Sequence, residues 1–132
     1  RTVYVADPTP SVITTGVHYV VSGTNRVNTT SGATTPYSGY PVIFLQTEPG
    51  IFYVTDFMGG YYDKRAGYGS NYAMTGFLKI NDDYTLSLLS SSIIGWGDSL
   101  DEMSSGSVDP NTGEIKWTVS YAGYLVFNVI IN

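Results

Sequence analysis

Residues 109–121, DPNTGEIKWTVSY, constrain the fold more tightly than any other stretch of this chain. Ile115, Trp117, Val119 and Tyr121 alternate with Glu114, Lys116, Thr118 and Ser120. Successive side chains of a strand point to opposite faces, so this period of two describes a strand with one apolar and one wet face. The preceding Asp109-Pro110-Asn111-Thr112-Gly113 is a hairpin-type turn, in which Pro presets one backbone angle and Gly supplies a positive one. After Ala122-Gly123-Tyr124 comes Leu125 to Ile131, apolar on both faces apart from Asn128, the pattern of a central or doubly covered strand.

The same signal recurs upstream. Pro41 to Thr47 and Ile51 to Phe57 flank Glu48-Pro49-Gly50, and Tyr72 to Ile80 and Tyr84 to Leu89 flank Asn81-Asp82-Asp83. Val17 to Ser22 and Arg26 to Thr30 flank Gly23-Thr24-Asn25, which reads as a further hairpin. Short strands joined by tight turns predict an all-β fold, an antiparallel β-sandwich or partly closed barrel of about 8–10 short strands. At most one short helical turn is expected: Ser99-Leu100-Asp101-Glu102 fits a capping box, and Trp96, Leu100 and Met103 share a helical face. The polar stretch Asn28 to Ser38 reads as an exposed loop.

Charge and composition exclude several classes. The chain has 132 residues and a formal net charge of −5, and its six basic residues are scattered apart from Lys64-Arg65. Nucleic-acid binding needs clustered Lys and Arg on one surface, so a nucleic-acid partner is not expected. Cysteine is absent, which rules out disulfides and thiolate metal sites. No apolar run approaches the roughly 20 residues of a membrane-spanning helix. Asp109 to Glu114 and Asn81-Asp82-Asp83 read as turns rather than calcium loops, and no metal or cofactor is expected.

The first residues differ from the rest. Arg1 to Val5 alternates Val3 and Val5 as a strand does, and Asp7-Pro8-Thr9-Pro10 breaks it with two closely spaced prolines, which stiffen and extend the chain. RTVYVADPTP (Arg1 to Pro10) resembles the last strand of the bacterial immunoglobulin-like repeats of surface proteins. GGYYDKRAGYGSNYA (Gly59 to Ala73), GWGD (Gly95 to Asp98) and SVDPNTGEIKWTVSYAG (Ser107 to Gly123) are similar to the C-terminal β module of Bacteroidetes surface lipoproteins of unknown function, of the SusC/SusD-associated type. The resemblance implies a cell-envelope location, at the outer membrane surface or in the periplasm, in a multidomain lipoprotein that is lipid-anchored although this fragment is soluble. It carries over no functional residues. The chain, which starts at Arg1, is therefore expected to be a piece of a longer precursor. Residues 1–11 would be a remnant strand and linker of an upstream immunoglobulin-like domain, and residues 12–132 a single all-β domain. The remnant strand is expected to pair within the domain, to pair with a neighbouring molecule, or to be poorly ordered.

The candidate ligand-binding residues are Tyr61, Tyr62, Tyr68, Tyr72, Trp96 and Asp98. Flat aromatic faces pack against the C–H groups of sugar rings. Asp63, Lys64, Arg65 and Asn71 would hydrogen-bond hydroxyls, and glycines among them permit positive φ and close backbone approach. The competing reading places the tyrosine rings in a core with their hydroxyls at its rim, and the glycines at bulges. Trp117, on the apolar face of its strand, is expected in the core, whereas Trp96, between Gly95 and Gly97, suits either role. The lone His18 is expected to face solvent from a strand. A glycosidase would need two carboxylates facing each other across a cleft, and Asp98, Asp101, Glu102, Asp56 and Asp63 are the acids available. There is no Gly-x-Ser-x-Gly elbow, His-Glu-x-x-His pair or phosphate-binding glycine loop.

Three functions remain open, in this order. The first is a non-catalytic cell-surface module, with glycan as its ligand and a link to polysaccharide uptake. The second is a structural spacer or interaction domain that meets neighbouring envelope proteins, and the third is a glycoside hydrolase.

Overall fold

The computed structural model describes residue 13, residues 15 and 16, and residues 18–132. Among the described residues, ten strands form two antiparallel five-stranded sheets packed as a sandwich. The first sheet has the order β1 (His18–Val20), β4 (Pro41–Glu48), β5 (Ile51–Val54), β6 (Thr75–Ile80), β7 (Leu86–Ser92). The second has the order β3 (Thr34–Tyr37), β2 (Thr24–Asn28), β10 (Leu125–Ile131), β9 (Ile115–Tyr121), β8 (Glu102–Val108).

The alternation read from the sequence sets the core. Ile115, Trp117, Val119 and Tyr121 of β9 are all buried, and Lys116 between them is exposed. Beside them on β10, the central strand of its sheet, Leu125, Phe127, Val129 and Ile131 are buried, with Phe127 opposite Val119 and Val129 opposite Trp117. The facing sheet contributes Val42 and Phe44 of β4, Phe52 and Val54 of β5, and Leu78 and Ile80 of β6. Phe44 meets Trp117 edge-on across the interlayer, centroids 6.1 Å apart. Facing apolar surfaces of this kind exclude water over the whole interlayer, which is what holds two sheets together.

Three hairpins lie where turn chemistry places them: β4–β5, β6–β7 and β8–β9. The hairpin expected around Gly23 does not form. His18–Val20 pairs with β4 in one sheet and Thr24–Asn28 with β3 and β10 in the other. Val21, 1% exposed, bridges to Ile131 where the chain passes between layers. Ile130 donates its N–H to the hydroxyl of buried Thr24 (3.0 Å), so the apparent turn residue is a sheet residue.

The stretch expected as an exposed loop, Asn28 to Ser38, contains edge strand β3. Pro36 is tolerated there because an edge strand has one side free of ladder bonds. Nor is Ser99–Glu102 helical: the Asp101 N–H donates to Ser120 and Glu102 opens β8. The helical turns lie instead at Tyr61–Arg65 and Ser70–Tyr72. Arg1 to Val5 and the Asp7–Ser11 boundary fall outside the described residues, as does the His18 side chain.

Candidate functional site

Residues 55–74 leave the first sheet after Val54 and return so that Gly76 pairs with that same residue. A twenty-residue excursion rich in glycine would be mobile if nothing held it. Asp56 holds it. Its buried carboxylate accepts the N–H groups of Met58 (2.9 Å), Gly60 (3.0 Å) and Met74 (3.1 Å), clamping both ends to one side chain. Removal from water pushes this carboxyl up to about 7 despite the three donors, and the charge of Asp63 acts in the same direction.

The first part of the excursion is core. Phe57 and Met58 are fully buried and close one end of the interlayer. Trp117 donates its indole Nε1–H to the Phe57 carbonyl at 2.8 Å, and the buried Tyr37 hydroxyl donates to the Met58 carbonyl at 2.6 Å. Gly60, at φ 85°, is required: a Cβ there would approach Cβ of Tyr40 to 2.7 Å. From it the chain makes one wide helical turn, with Arg65 N–H donating to Gly60 and Ala66 N–H to Tyr61, each five residues back. Such π-turns set successive side chains at unusual angles and are frequent at functional sites.

The consequence is an aromatic cluster centred on Tyr62, which is itself buried. Its ring lies 4.9 Å from Tyr61 and 4.9 Å from Trp96, both edge-on, and stacks with Tyr68 at 6.2 Å and 12°. Burial raises the Tyr62 hydroxyl above its ordinary pKa, offset in part by Arg26 beside it. Trp96 belongs to a tight turn between β7 and β8, closed by Ile93 N–H to Asp98 and Gly97 N–H to Ile93. That turn is tied to the excursion by Gly95 N–H donating to the Asn71 carbonyl at 2.7 Å. The Tyr72 ring lies directly on Gly95, in the space a Cβ would fill. Asp98 is fixed from the other side, its carboxylate accepting the Tyr121 hydroxyl at 2.7 Å.

All six candidate residues therefore meet in one place, though not in one role. Trp96 (45% exposed) and Tyr68 (56%) stand open at right angles, centroids 6.0 Å apart, with half-buried Tyr72 completing the face 4.8 Å from Trp96. These three line an open recess of about 410 Å³. A second recess of about 270 Å³, on the Tyr121–Leu125 side, brings in Tyr124, 42% exposed, which the sequence reading did not single out. Its place two residues past Ala122, in the β9–β10 turn, was the available signal. Tyr61 and Tyr62 are the support beneath this face.

Of the acids, Asp56 and Asp63 line a common recess of about 170 Å³ with Lys64, which pairs with Asp63 at 3.5 Å. Asp98 is engaged by Tyr121, Asp101 accepts the Gly123 N–H at 2.8 Å, and Asp56 is sealed in its clamp. Among the described residues no three His, Asp or Glu side chains converge as metal ligands would. A groove of about 420 Å³ on the outer face of β8–β10 is lined by Ser105, Ser107, Lys116 and Thr118 among others, and the Trp117 side chain there turns inward to the core.

Comparison with known proteins decides the relationship. A family model described as a C-terminal domain matches residues 7–132, almost the whole chain. The crystal structure of the lipoprotein BT2262 from Bacteroides thetaiotaomicron superposes with a TM-score of 0.86 at 47% identity, over 94% of this chain. The chain belongs to this family of Bacteroidetes lipoprotein C-terminal domains. It spans 61% of the length of that structure. A search among curated proteins gives no match. The family resemblance carried by Gly59 to Ala73, Gly95 to Asp98 and Ser107 to Gly123 thus holds. Two of those three segments build the aromatic face, and the third supplies Tyr121, which braces it.

Proposed function

We propose that this lipoprotein domain is a non-catalytic binding module of the cell envelope that captures glycan on the face formed by Trp96, Tyr68 and Tyr72. One observation carries the reading: two large aromatic rings stand roughly half exposed and perpendicular, braced from below by Tyr62 and from the sides by Tyr121 and by Tyr72, which is seated on Gly95. Water-exposed aromatic surface costs free energy, so a contiguous patch of it marks a contact surface. Rigid rings lose little entropy when a ligand settles on them. The perpendicular pair makes a corner suited to a sugar ring, one face on Trp96 and an edge toward Tyr68. Asp98, 2.7 Å from the Tyr121 hydroxyl and exposed, keeps lone pairs for sugar hydroxyls.

The test is a glycan-array screen followed by affinity electrophoresis of the wild type, Trp96→Ala and Tyr68→Ala. Loss of an anchoring aromatic typically costs about 2 kcal/mol, roughly thirtyfold in affinity. Retardation by at least one glycan class should be lost in both variants while their melting temperatures stay near wild type. Absence of any retained glycan, or retention unchanged by Trp96→Ala, overturns the reading in favour of a spacer or interaction domain.

A further inference from the structure

Two of the chain's six basic residues converge on one tyrosine ring. The guanidinium carbon of Arg26 lies 4.9 Å from the Tyr61 centroid, and that of Arg65 lies 5.6 Å from it. Neither meets a carboxylate: among the described residues the ion pairs are Lys64–Asp63 and Lys116–Glu114. That is unexpected in a chain with eleven acids, where a surface guanidinium has an excess of partners to choose from.

Arg26 is also oddly placed. It sits on β2 directly opposite core residue Phe127 and two residues after buried Thr24, so its side chain leaves from the inner face of the sheet. Its Nε is buried with no hydrogen-bond partner. A buried, unsatisfied charged donor is destabilising, and a cation–π contact offsets that only in part. Arg26 as a whole is half-buried, and Nε is its one nitrogen that is both buried and unpartnered. Nη2 makes only a long 3.5 Å contact with the Tyr62 hydroxyl.

We propose that Arg26 and Arg65, both held against the Tyr61 ring, form an anion subsite that takes a carboxylate, and that the ligand is an acidic sugar residue. A planar carboxylate matches the guanidinium fork with two parallel hydrogen bonds, and a weakly hydrated guanidinium gives up its water at low cost. Tyr62 joins the two parts of the surface. Its ring edge meets Trp96 at 4.9 Å, and its hydroxyl end meets Arg26. An acidic oligosaccharide with one sugar on the exposed rings can then place the carboxylate of a neighbouring residue by the arginines. The sugar part of this proposal rests on the glycan reading above, and the anion part does not.

Two experiments separate them. In the first, the ¹⁵N–¹H signals of the Arg26 and Arg65 Nε–H groups are followed during titration with glucuronate, with glucose, and with sodium chloride at matched ionic strength. Glucuronate should move both signals saturably, glucose should not, and Arg65→Gln should abolish saturation at Arg26. Shifts reproduced by sodium chloride, or none at all, overturn the subsite. In the second, affinity electrophoresis compares neutral and uronate-containing polysaccharides with the wild type, Arg65→Gln and Arg26→Lys. Arg65 is exposed, so its variant keeps the fold, and Arg26→Lys retains charge while removing the fork. Both should lower uronate affinity about tenfold, by the loss of one bidentate pair, and leave neutral retention unchanged. If glucuronate moves the arginines but no polysaccharide is retained, the subsite stands and the glycan reading falls. If neutral polysaccharide is retained and the arginine signals stay still, the reverse holds.

Discussion

The indole Nε1–H of Trp117 donates to the backbone carbonyl of Phe57 at 2.8 Å, sixty residues away in the chain. This bond joins the central part of the second sheet to the start of the excursion that carries the aromatic face. It explains why Trp is used at a position where any large apolar side chain would fit the strand's alternation. A buried carbonyl needs a donor, and Phe57 has no sheet neighbour to supply one there.

Trp117→Phe keeps an apolar ring in the interlayer but removes the donor and part of the volume. The expected loss is about 2–4 kcal/mol, combining an unsatisfied buried carbonyl with a cavity. Urea unfolding of wild type and variant measures it, and a change below half a kcal/mol would show that the bond is unimportant to the fold.

Asp56 makes stability depend on pH. Its folded pKa of about 7 lies above the ordinary carboxylate value of 3.8, so between these values the folded state binds more protons than the unfolded chain. Its contribution is therefore fully present below pH 3.8 and lost as pH rises through about 7. Asp83 and Asp109 have lowered values, from hydrogen bonds to their own turns, and act oppositely below the ordinary carboxylate range. Denaturation midpoints should rise between pH 7.5 and about 4.5 by the equivalent of a few kcal/mol, and then fall in stronger acid. In Asp56→Asn the rise should vanish. The variant should also be less stable near pH 5, because its amide nitrogen faces the Gly60 N–H as donor to donor. A flat wild-type profile would contradict the assignment.

Gly95 is where the two loops of the candidate site touch. Gly95→Ala puts a methyl group into the space of the Tyr72 ring, which must swing away from Trp96. Global stability should fall by only about 1–2 kcal/mol, since the turn is exposed. The Trp96 indole N–H resonance and any ligand affinity should change strongly. An unshifted resonance would mean that Tyr72 adjusts without disturbing its neighbour.

The Tyr37 hydroxyl bonds the Met58 carbonyl at 2.6 Å in a buried setting, anchoring edge strand β3 to the excursion. Tyr37→Phe should cost about 1–2 kcal/mol by thermal or urea unfolding. It should also speed hydrogen exchange in residues 57–60 relative to β9. Equal exchange rates in wild type and variant would detach Tyr37 from the clamp.

Strand alternation was legible where one face is buried and the other wet, as in Ile115–Tyr121, and turns were legible where Pro or Gly forces an angle. Both are local signals. Ser99–Glu102 misled because a capping box is equally local, and its helix lost to the ladder bond from Asp101 to Ser120. Thr34–Tyr37 was hidden because an edge strand needs few apolar residues and accepts Pro36. Tyr124 and Arg26 gained their places at the site only through partners far away in sequence: Arg26 lies thirty-five residues from Tyr61.

By itself the sequence determined that this chain makes short antiparallel strands in a sandwich or partly closed barrel, because side-chain period and turn residues act within a few positions; the two separate sheets were decided by the structure. It also named the rings of interest. The tertiary structure alone decided that Tyr61 and Tyr62 support the face and that Tyr68 and Trp96 form it. The division depends on Asp56 clamping the excursion, on Gly95 admitting Tyr72, and on Trp117 holding Phe57 in the core. Each of these joins residues far enough apart that no local pattern records them, and exposure is settled by what packs behind a ring.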